Sequence, residues 1–488
     1  MQKLETLNFD NTYARLPPDF YSRLTPTAIA DPYLVSFNAD AARLIDLDPA
    51  EALRPEFSQY FGGARALPGA EPLAMLYAGH QFGHFVPQLG DGRAILLGEV
   101  RNQAGEHWDL QLKGSGLTPF SRDGDGRAVL RSTIREYLCS EAMHGLGIPT
   151  TRALCMIGSN MEIYRENIET AAMLLRMSPS HVRFGSFEVF FYRGQKEQVK
   201  ILADYVIAKH FPQWINEPDK YPRLLHEVAL RTARLIAKWQ AVGFAHGVMN
   251  TDNMSILGLT LDYGPFGFME SYDPGFICNH SDHSGRYAFD QQPDVGAWNV
   301  TCLAQALTPL MPVDEAKQAL NVYQPAFVTH YIELMCAKLG LQQPGNEVVP
   351  LITSLLELLH AHHIDYTHFF RALGNFSLAA ESNAALRDMF VDRAAFDQWA
   401  DLYRARLVLE NSLDSERKLR MDQVNPKYIL RNYLAQAAIT QAANEGDFSE
   451  IERLLALLKN PYSEQPNMQQ YAALPPDWAA RIQVSCSS

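Results

Sequence analysis

Glycines and a basic residue come together at Gly90-Asp91-Gly92-Arg93, directly before an apolar run over residues 94–100 that predicts a strand. Glycines let backbone N–H groups approach a phosphate closely, and a guanidinium matches the geometry of phosphate oxygens. The competing interpretation is an ordinary hairpin turn, in which Asp-Gly is favoured. Because the segment is neither a complete G-x-G-x-x-G nor a P-loop, it favours the turn when taken alone.

A lysine and a glutamate form a second candidate pair. Lys113 ends residues 108–113, where apolar and polar residues alternate as in a half-buried strand. Glu136 lies on a helix predicted over residues 127–146, on a face where we expect it to be half-buried and to need a cation. A lysine held by a glutamate is the phosphate-binding arrangement of protein kinases. A surface lysine and an exposed glutamate are the alternative.

The segment His246-Gly247-Val248-Met249-Asn250-Thr251-Asp252-Asn253 follows a helix predicted over residues 224–242. It is similar to the kinase catalytic loop H-R-D-x-x-x-x-N, with Asn253 at the place of the metal-binding Asn. Val248 stands where the kinase base would be, and valine cannot accept a proton. Asp252 is then the only carboxylate of this loop. A loop in which Asp252 and Asn253 merely bond backbone amides is the alternative.

Asp262 comes nine residues after Asn253 and opens Asp-Tyr-Gly, a variant of the kinase D-F-G. Asn253 and Asp262 offer only oxygen ligands, which suit a hard cation such as Mg²⁺. A simple Tyr-Gly turn would explain the second segment alone. The four segments follow one another on the expected elements, however, and this order predicts a kinase-like nucleotide site.

Other polar residues are candidates for the same pocket. Arg176 and Arg183 flank residues 177–182 and are suited to hold a triphosphate. Asp123-Gly124-Asp125-Gly126 predicts a flexible flap, since an EF-hand would need Glu where Ile134 stands. A zinc site is disfavoured because the candidate ligands match no common zinc spacing; these are His80, His84, Cys278, His280 and His283.

Composition limits the classes of protein. The 488 residues are 47% hydrophobic and carry a net charge of −13, which predicts a large core and argues against nucleic-acid or anionic-membrane partners. No stretch predicts a membrane span, and the first 16 residues contain no apolar signal region. The six cysteines form no C-x-x-C pair, so we expect a reducing compartment, the cytoplasm.

The elements that must position these residues predict an α+β fold with two lobes. Residues 1–75 are expected to be an irregular N-terminal extension, and residues 76–184 a strand-rich lobe with one helix. The expected strands are residues 94–100, 108–113, 151–157 and 171–177. Residues 185–420 are expected to be a helical lobe with helices over 187–210 and 224–242, a β-like section over 255–262 and successive helices over 294–460. Residues 421–488 are expected to be a C-terminal helical extension.

The sequence resembles the selenoprotein O (SelO) family across nearly its whole length. The resemblance rests on residues 79–85 (Gly-His-Gln-Phe-Gly-His-Phe), 88–93 (Gln-Leu-Gly-Asp-Gly-Arg), 112–116 (Leu-Lys-Gly-Ser-Gly), 246–253 and 261–267. It implies a protein-kinase-like (pseudokinase) two-lobe fold with N-terminal and C-terminal helical extensions. It also implies a protein adenylyltransferase, which binds ATP inverted relative to a kinase, moves AMP to Ser, Thr or Tyr hydroxyls of proteins and releases pyrophosphate.

The resemblance assigns roles to individual residues. Asp252 is implied to be the proton acceptor, and Asn253 and Asp262 the ligands of Mg²⁺ or Mn²⁺. The residues implied to bind the nucleotide are Gly90, Gly92, Arg93, Lys113 paired with Glu136, Asp125, Gly126, Arg176, Arg183 and Asp262. Cys486 stands near the C-terminus, where some relatives carry selenocysteine, and is implied to be a redox thiol; Cys278 is the disulfide partner that we expect.

Three other activities remain open at this point. An ordinary kinase is disfavoured by Val248, and a non-catalytic scaffold by the retention of Lys113, Glu136, Asn253 and Asp262. A Mn²⁺-dependent protein uridylyltransferase is the third, because contacts to the base cannot be deduced from residue spacing.

Overall fold

The computed structural model describes residues 1–380 and 383–484, and within them the strands mostly precede the helices. The strands are β1 (Tyr21–Arg23), β2 (Tyr33–Phe37), β3 (Leu73–Met75), β4 (Gly79–Gln81), β5 (His84–Val86), β6 (Ala94–Arg101), β7 (His107–Lys113), β8 (Ala128–Val129), β9 (Arg152–Tyr164), β10 (Ile168–Ser178), β11 (Phe244–Ala245) and β12 (Gly267–Phe268). The helices are α1 (Ala39–Leu44), α2 (Pro55–Phe61), α3 (Leu130–Gly145), α4 (Phe184–Tyr192), α5 (Lys196–His210), α6 (Lys220–Val242), α7 (Gln292–Leu307), α8 (Val313–Leu320), α9 (Tyr323–Lys338), α10 (Val349–Ala361), α11 (Tyr366–Leu373), α12 (Ala384–Arg387), α13 (Arg393–Leu409), α14 (Asp414–Asp422), α15 (Asn432–Glu445) and α16 (Ser449–Leu458). The α+β class is therefore confirmed.

One antiparallel sheet organises the first part of the chain. Its strands lie in the order β1-β3-β6-β7-β10-β9-β2, and β8 pairs with β10. The strands expected over 94–100, 108–113, 151–157 and 171–177 are confirmed as β6, β7, β9 and β10. The expectation that residues 1–75 are irregular was wrong, because β1, β2 and β3 join this sheet. These strands are three to five residues long, and only pairing with distant segments reveals them.

The alternation along β7 gives the sheet two different faces. Leu110 and Leu112 are fully buried in a core shared with the N-terminal residues Ile45 and Phe57. Successive side chains of a strand point to opposite faces, so Gln111 and Lys113 lie on the other face. The N-terminal segment thereby covers one face of the sheet, and the polar face is left for the site.

The helices around the site differ in two places from the sequence expectation. Residues 187–210 were expected to form one helix, but α4 and α5 are separated at Gly194, whose φ of +72° ends the first helix. The expectation of a β-like section over residues 255–262 holds only as isolated bridges. The backbone turns at Gly258, with φ of +69°, and no continuous strand forms in this segment. The expected helices over 127–146 and 224–242 are confirmed as α3 and α6.

The later part of the described chain is helical, as expected for residues 294–460. Its helices share two cores, one around α6 to α9 and the other around α9 to α14. α15 and α16 return to the sheet and pack against α3, which carries Glu136. In residues 1–380 and 383–484, no helix combines the length and apolar character needed to cross a bilayer.

Candidate active site

The side chain of Asp91 holds the glycine loop, residues 90–93, in place. Asp91 is buried, and its carboxylate accepts hydrogen bonds from the Met75 backbone N–H at 3.1 Å and from Gln111 Nε2 at 3.0 Å. Gly90 has φ of +102°, and a Cβ on it would lie 2.6 Å from the Phe120 ring. A side chain at this position is therefore excluded both by the backbone conformation and by space.

A second glycine-containing segment, residues 114–126, contacts the glycine loop. It ends in the predicted flap of residues 123–126. Thr118 Oγ1 donates to the Asp91 carbonyl oxygen at 2.7 Å, and the Gly116 N–H donates to the Gly126 oxygen at 3.0 Å. Gly126 has φ of +70° and leaves no room for a Cβ. The carboxylate of Asp125 instead accepts from Arg165 at 2.8 Å and from the Arg127 N–H at 2.9 Å. Among the described contacts, none brings the Asp125 side chain to Lys113.

Five charged side chains form one cluster, which we call the cationic cluster: Lys113, Glu136, Arg176, Arg183 and Asp262. Lys113 pairs with one oxygen of Glu136, and Arg176 donates to the other at 3.0 Å. Arg176 and Arg183 each pair with a different oxygen of Asp262, and Lys113 Nζ lies 3.9 Å from that carboxylate. The predicted Lys113–Glu136 pair is thus present, and it is linked to the predicted Asp262.

The cluster carries more positive than negative charge. Burial would raise the pKa of Asp262, but the charges of Arg176, Arg183 and Lys113 hold it well below its usual range. Burial lowers the pKa of Lys113, although Glu136 opposes the shift. Arg93 forms no ion pair with any residue of the described ranges, and its charge adds to the lowering of the Lys113 pKa. The three cations of the cluster and Arg93 outnumber the two carboxylates, so this region carries the positive charge needed to bind a polyanion.

The loop of residues 246–253, which we call the catalytic-like loop, holds Asp252 in a different setting. Asp252 is only 7% exposed and lies in a short 3-10 turn, Thr251–Asn253. Its backbone carbonyl oxygen accepts from Arg183 at 2.6 Å, so the same guanidinium nitrogen contacts Asp252 and Asp262. Burial raises the pKa of the Asp252 carboxyl to about 7, against a hydrogen bond from Gln81 and the charge of Arg183.

Asn253 is fixed within the same loop. Its Nδ2 donates to the Val248 carbonyl oxygen at 3.0 Å, so its side-chain oxygen is the atom that can serve as a metal ligand. With Asp262 it provides a set of oxygen ligands that fits Mg²⁺ or Mn²⁺ in chemical type. His246 stacks on Trp239 and contacts the Leu261 oxygen at 2.8 Å, which ties this loop to the segment that carries Asp262.

Buried polar side chains outside the catalytic-like loop contact it and support it. Glu188 is fully buried; one of its oxygens accepts from Thr251 Oγ1, and the other contacts His80 Nδ1 at 2.6 Å. Within the described residues, one group of three potential metal ligands has its ligand atoms within 4.8 Å of one another. It consists of His80, Glu188 and Cys302. Glu188 joins His80 to Thr251, so this group supports the catalytic-like loop through hydrogen bonds.

Sequence reasoning missed three side chains of the site. Gln111 accepts from Arg176 Nε at 2.7 Å while it donates to Asp91, so it joins the cationic cluster to the glycine loop. The Tyr77 ring lies 4.8 Å from the Arg183 guanidinium. Gln81 contacts the carboxylate of Asp252. Gln111 shares the polar face of β7 with Lys113 and was within reach of the alternation argument. Gln81 lies in residues 79–85, which carry the family resemblance, but that resemblance assigned it no role; Tyr77 had no local signal.

Cys278 lies beside the catalytic-like loop. Its Sγ donates to the Ala245 oxygen at 3.4 Å, and a Cβ on Gly247 would lie 2.6 Å from that sulfur. The His280 backbone N–H donates to the Val484 oxygen at 2.8 Å, which brings the last described residue to the same segment. Cys486, the expected disulfide partner, lies outside the described residues.

Comparison with known proteins identifies the family of the chain. Residues 3–459 match the family model described as protein adenylyltransferase SelO. Proteins named protein nucleotidyltransferase YdiU share 61% identity in Thiobacillus denitrificans, 60% in Myxococcus xanthus and 53% in one strain of Pseudomonas fluorescens, each over 100% of both chains. The resemblance stated from the sequence motifs is confirmed: the chain belongs to the SelO family and is a nucleotidyltransferase.

Proposed function

We propose that the protein transfers AMP from ATP to Ser, Thr or Tyr hydroxyls of other proteins and releases pyrophosphate. The observation that carries the proposal is the separation of two settings within one site. Four cations, Arg93, Lys113, Arg176 and Arg183, serve the phosphates, while Asp252 stands apart from the ion pairs as a buried carboxylate. The family model's description as a protein adenylyltransferase supports the same activity.

The fold that we propose for this chemistry is the kinase-like plan. The sheet with α3 supplies Lys113 and Glu136, and the segments after α6 supply Asp252, Asn253 and Asp262. We assign residues 76–184 and 185–420 to its two lobes and residues 1–75 and 421–488 to extensions. The contacts of Arg176 and Arg183 with Asp262 support this plan, since they join the sheet to the helical part where kinases bind nucleotide.

The residues of the chain fit nucleotidyl transfer better than phosphoryl transfer. Val248 stands at the place of the kinase base, so the loop offers Asp252 instead. The acceptor hydroxyl oxygen forms a bond to the α-phosphorus, the bond from that phosphorus to the β-phosphate bridge oxygen breaks, and the hydroxyl proton passes to Asp252. Pyrophosphate leaves with charge that Arg93, Lys113, Arg176 and Arg183 neutralise.

A divalent cation belongs to this proposal as well. Asn253 and Asp262 would hold Mg²⁺ or Mn²⁺, which neutralises phosphate charge when bound. The glycine loop with Gly90 and Gly92, and the flap with Asp125 and Gly126, would enclose the nucleotide through backbone N–H groups. Asp125 would contribute through its backbone or by exchanging its partner Arg165.

Labelled nucleotides test the activity. The protein is incubated with Mg²⁺ and ATP labelled at either the α- or the γ-phosphate, with candidate acceptor proteins, and the products are weighed by intact mass spectrometry. We expect the α-label to be retained with a mass gain of one AMP. Retention of the γ-label would contradict the proposal in favour of a kinase, and a gain of UMP from UTP with Mn²⁺, without AMP transfer, would replace adenylylation by uridylylation.

We also propose a redox link between Cys278 and Cys486. It is supported by the position of Cys278 against Gly247 and by the bond between His280 and Val484, two residues before Cys486. Peptide mapping of oxidised protein without reductant should yield a joined Cys278–Cys486 peptide. Mapping that finds both thiols alkylated after oxidation would remove this link.

A further inference from the structure

The hairpin of residues 79–86, formed by β4 and β5, is attached to the catalytic-like loop at several points. The His80 backbone N–H donates to Thr251 Oγ1 at 2.7 Å. The Phe82 backbone N–H donates to Tyr287 Oη at 2.9 Å and to Asn250 Oδ1 at 3.3 Å. The function described so far gives this hairpin no role, although it lies directly over Asp252.

Strand β4 lies against the Asp252 carboxylate. Gln81 Nε2 donates to Oδ2 at 3.1 Å. Within residues 1–380 and 383–484, Oδ1 has no hydrogen-bond partner, although the atom is buried. A Cβ on Gly79 would lie 2.6 Å from Oδ1, closer than real Cβ contacts, so only glycine leaves room for this oxygen in its present position.

A buried carboxylate oxygen without a partner is costly unless a ligand completes it. The amide of Gln81 fixes one oxygen and so determines which way the second one faces. Gln81 contacts none of the members of the cationic cluster in the described structure, so its influence is confined to the side of Asp252.

We propose that Gln81 is a positioning residue that orients Asp252 toward the acceptor hydroxyl, and that Gly79 leaves the room that the Asp252 carboxylate needs in this orientation. This inference rests on the proposed function, in which Asp252 takes the proton of the hydroxyl. Gln81 fixes Oδ2 and with it the plane of the carboxylate, and the hydroxyl of the acceptor protein passes its proton to this carboxylate as its oxygen attacks the α-phosphorus. The hairpin is then the wall of the site that faces the acceptor.

Two measurable consequences separate positioning from a general structural role. A misplaced base slows the transfer step about tenfold to a hundredfold, while ATP affinity stays within about twofold. The slowing should also depend on the acceptor. A phenol has a pKa of about 10 and needs less help from a base than an alkyl hydroxyl. The transfer rate should therefore fall more with serine acceptors than with tyrosine acceptors.

The test compares Gln81→Met with Gln88→Met, a matched control on an exposed glutamine after the hairpin. Methionine keeps the length of the side chain and removes the donor. The readouts are the single-turnover rate of α-label transfer, the ATP dissociation constant and the melting temperature. The acceptors are two peptide pools with identical flanks around a single Ser or a single Tyr.

We expect Gln81→Met to lose transfer at least about tenfold, more with Ser than with Tyr, with ATP affinity and melting temperature kept. Gln88→Met should match the wild type. Equal losses for Ser and Tyr, or rates equal to the wild type, would overturn the inference. Gly79→Ala provides a second variant, since its methyl group would lie 2.6 Å from Oδ1 and 2.9 Å from Cβ of Asp252 and so must displace this side chain; a wild-type rate for this variant would also contradict the inference.

The outcomes also distinguish this inference from the proposed function. If the wild type and Asp252→Asn transfer label equally, the function assigned to Asp252 fails, and the inference fails with it. If Asp252→Asn is inactive while Gln81→Met matches the wild type, only the positioning role of Gln81 fails.

Discussion

Asp252 and Asp262 lie ten residues apart in the chain and have opposite surroundings. Asp262 pairs with two arginines and lies near a lysine, and their charges hold its pKa well below the usual range. Asp252 has one amide donor on its carboxylate, and burial raises its pKa to about 7. One carboxylate is thus held ionised while the pKa of the other is raised, and this difference is the one that the proposed division of roles requires.

The comparison also separates two sides of the site. The side of Asp262 gathers charged partners from the sheet and from α3, while the side of Asp252 is built from the hairpin and α4. We expect changes on the first side to weaken nucleotide binding. Changes on the second side should slow transfer with binding retained.

The largest effect is expected for Asp262→Asn. The substitution removes the charge shared by Arg176 and Arg183 and one oxygen ligand of the proposed metal. Transfer should fall about a thousandfold or more, with weaker binding of ATP in the presence of Mg²⁺. Label-transfer rates and equilibrium dialysis measure both quantities. The exposed Asp273→Asn is the control, and a loss of transfer with unchanged metal and ATP binding would contradict the assignment.

The next largest effect is expected for Asp252→Asn. Asparagine keeps the shape of the side chain and cannot take a proton, so transfer should fall about a hundredfold or more. ATP affinity should stay within about twofold, because the arginine contact of this residue uses its backbone oxygen. Single-turnover transfer with α-labelled ATP is the measurement. Transfer at the wild-type rate would exclude Asp252 as the proton acceptor.

A smaller effect is expected for Glu136→Gln. The change removes the closest anionic partner of Lys113 and one of the two carboxylates that Arg176 contacts, so the position of Lys113 is less well fixed. We expect ATP affinity to fall about tenfold. Isothermal titration measures the affinity, with Glu169→Gln as the control because Glu169 pairs with Arg131 away from the cluster. Equal affinities for the two variants would show that the Lys113–Glu136 pair does not organise nucleotide binding.

The smallest effect is expected for Tyr77→Leu. Its ring lies against Arg183, and a cation–π contact of this kind contributes about 0.5 to 2 kcal/mol. Because Tyr77 acts on ATP only through the position of Arg183, ATP affinity should weaken by only about twofold to fivefold, while Tyr77→Phe, which keeps the ring, should stay near the wild type. An equal loss for Tyr77→Phe and Tyr77→Leu would show that the hydroxyl near Asp91, and not the ring, is the important group.

Much of the fold and of the cationic cluster was predictable from the sequence because the signals are local. The alternation along β7 predicted that Lys113 lies on the polar face. The order of the four segments predicted that Lys113 and Asp262 share one site. The helical spacing of Leu130, Ile134 and Leu138 gave α3 within a few residues. Glu136 is more deeply buried than half, since α15 and α16 cover α3.

The rest depends on contacts between distant segments. β1, β2 and β3 exist only because longer strands offer edges on which they pair. The apolar run around Ile256 and Leu257 suggested a strand, but burial alone does not distinguish a strand from a buried turn. Gln81 lies 171 positions from Asp252, so no local pattern could have joined them. Gly194 broke the expected helix through a backbone conformation that composition does not display.

The most direct test of the division between the two carboxylates is the ATP dissociation constant, measured with Mg²⁺ for the wild type and for one set of variants from each side. We predict values within about twofold of the wild type for Asp252→Asn and Gln81→Met. We predict values raised about tenfold or more for Glu136→Gln and Asp262→Asn. If Asp252→Asn weakened ATP binding as much as Glu136→Gln, the two sides would not be separate, and the assignment of Asp252 to the acceptor would be contradicted.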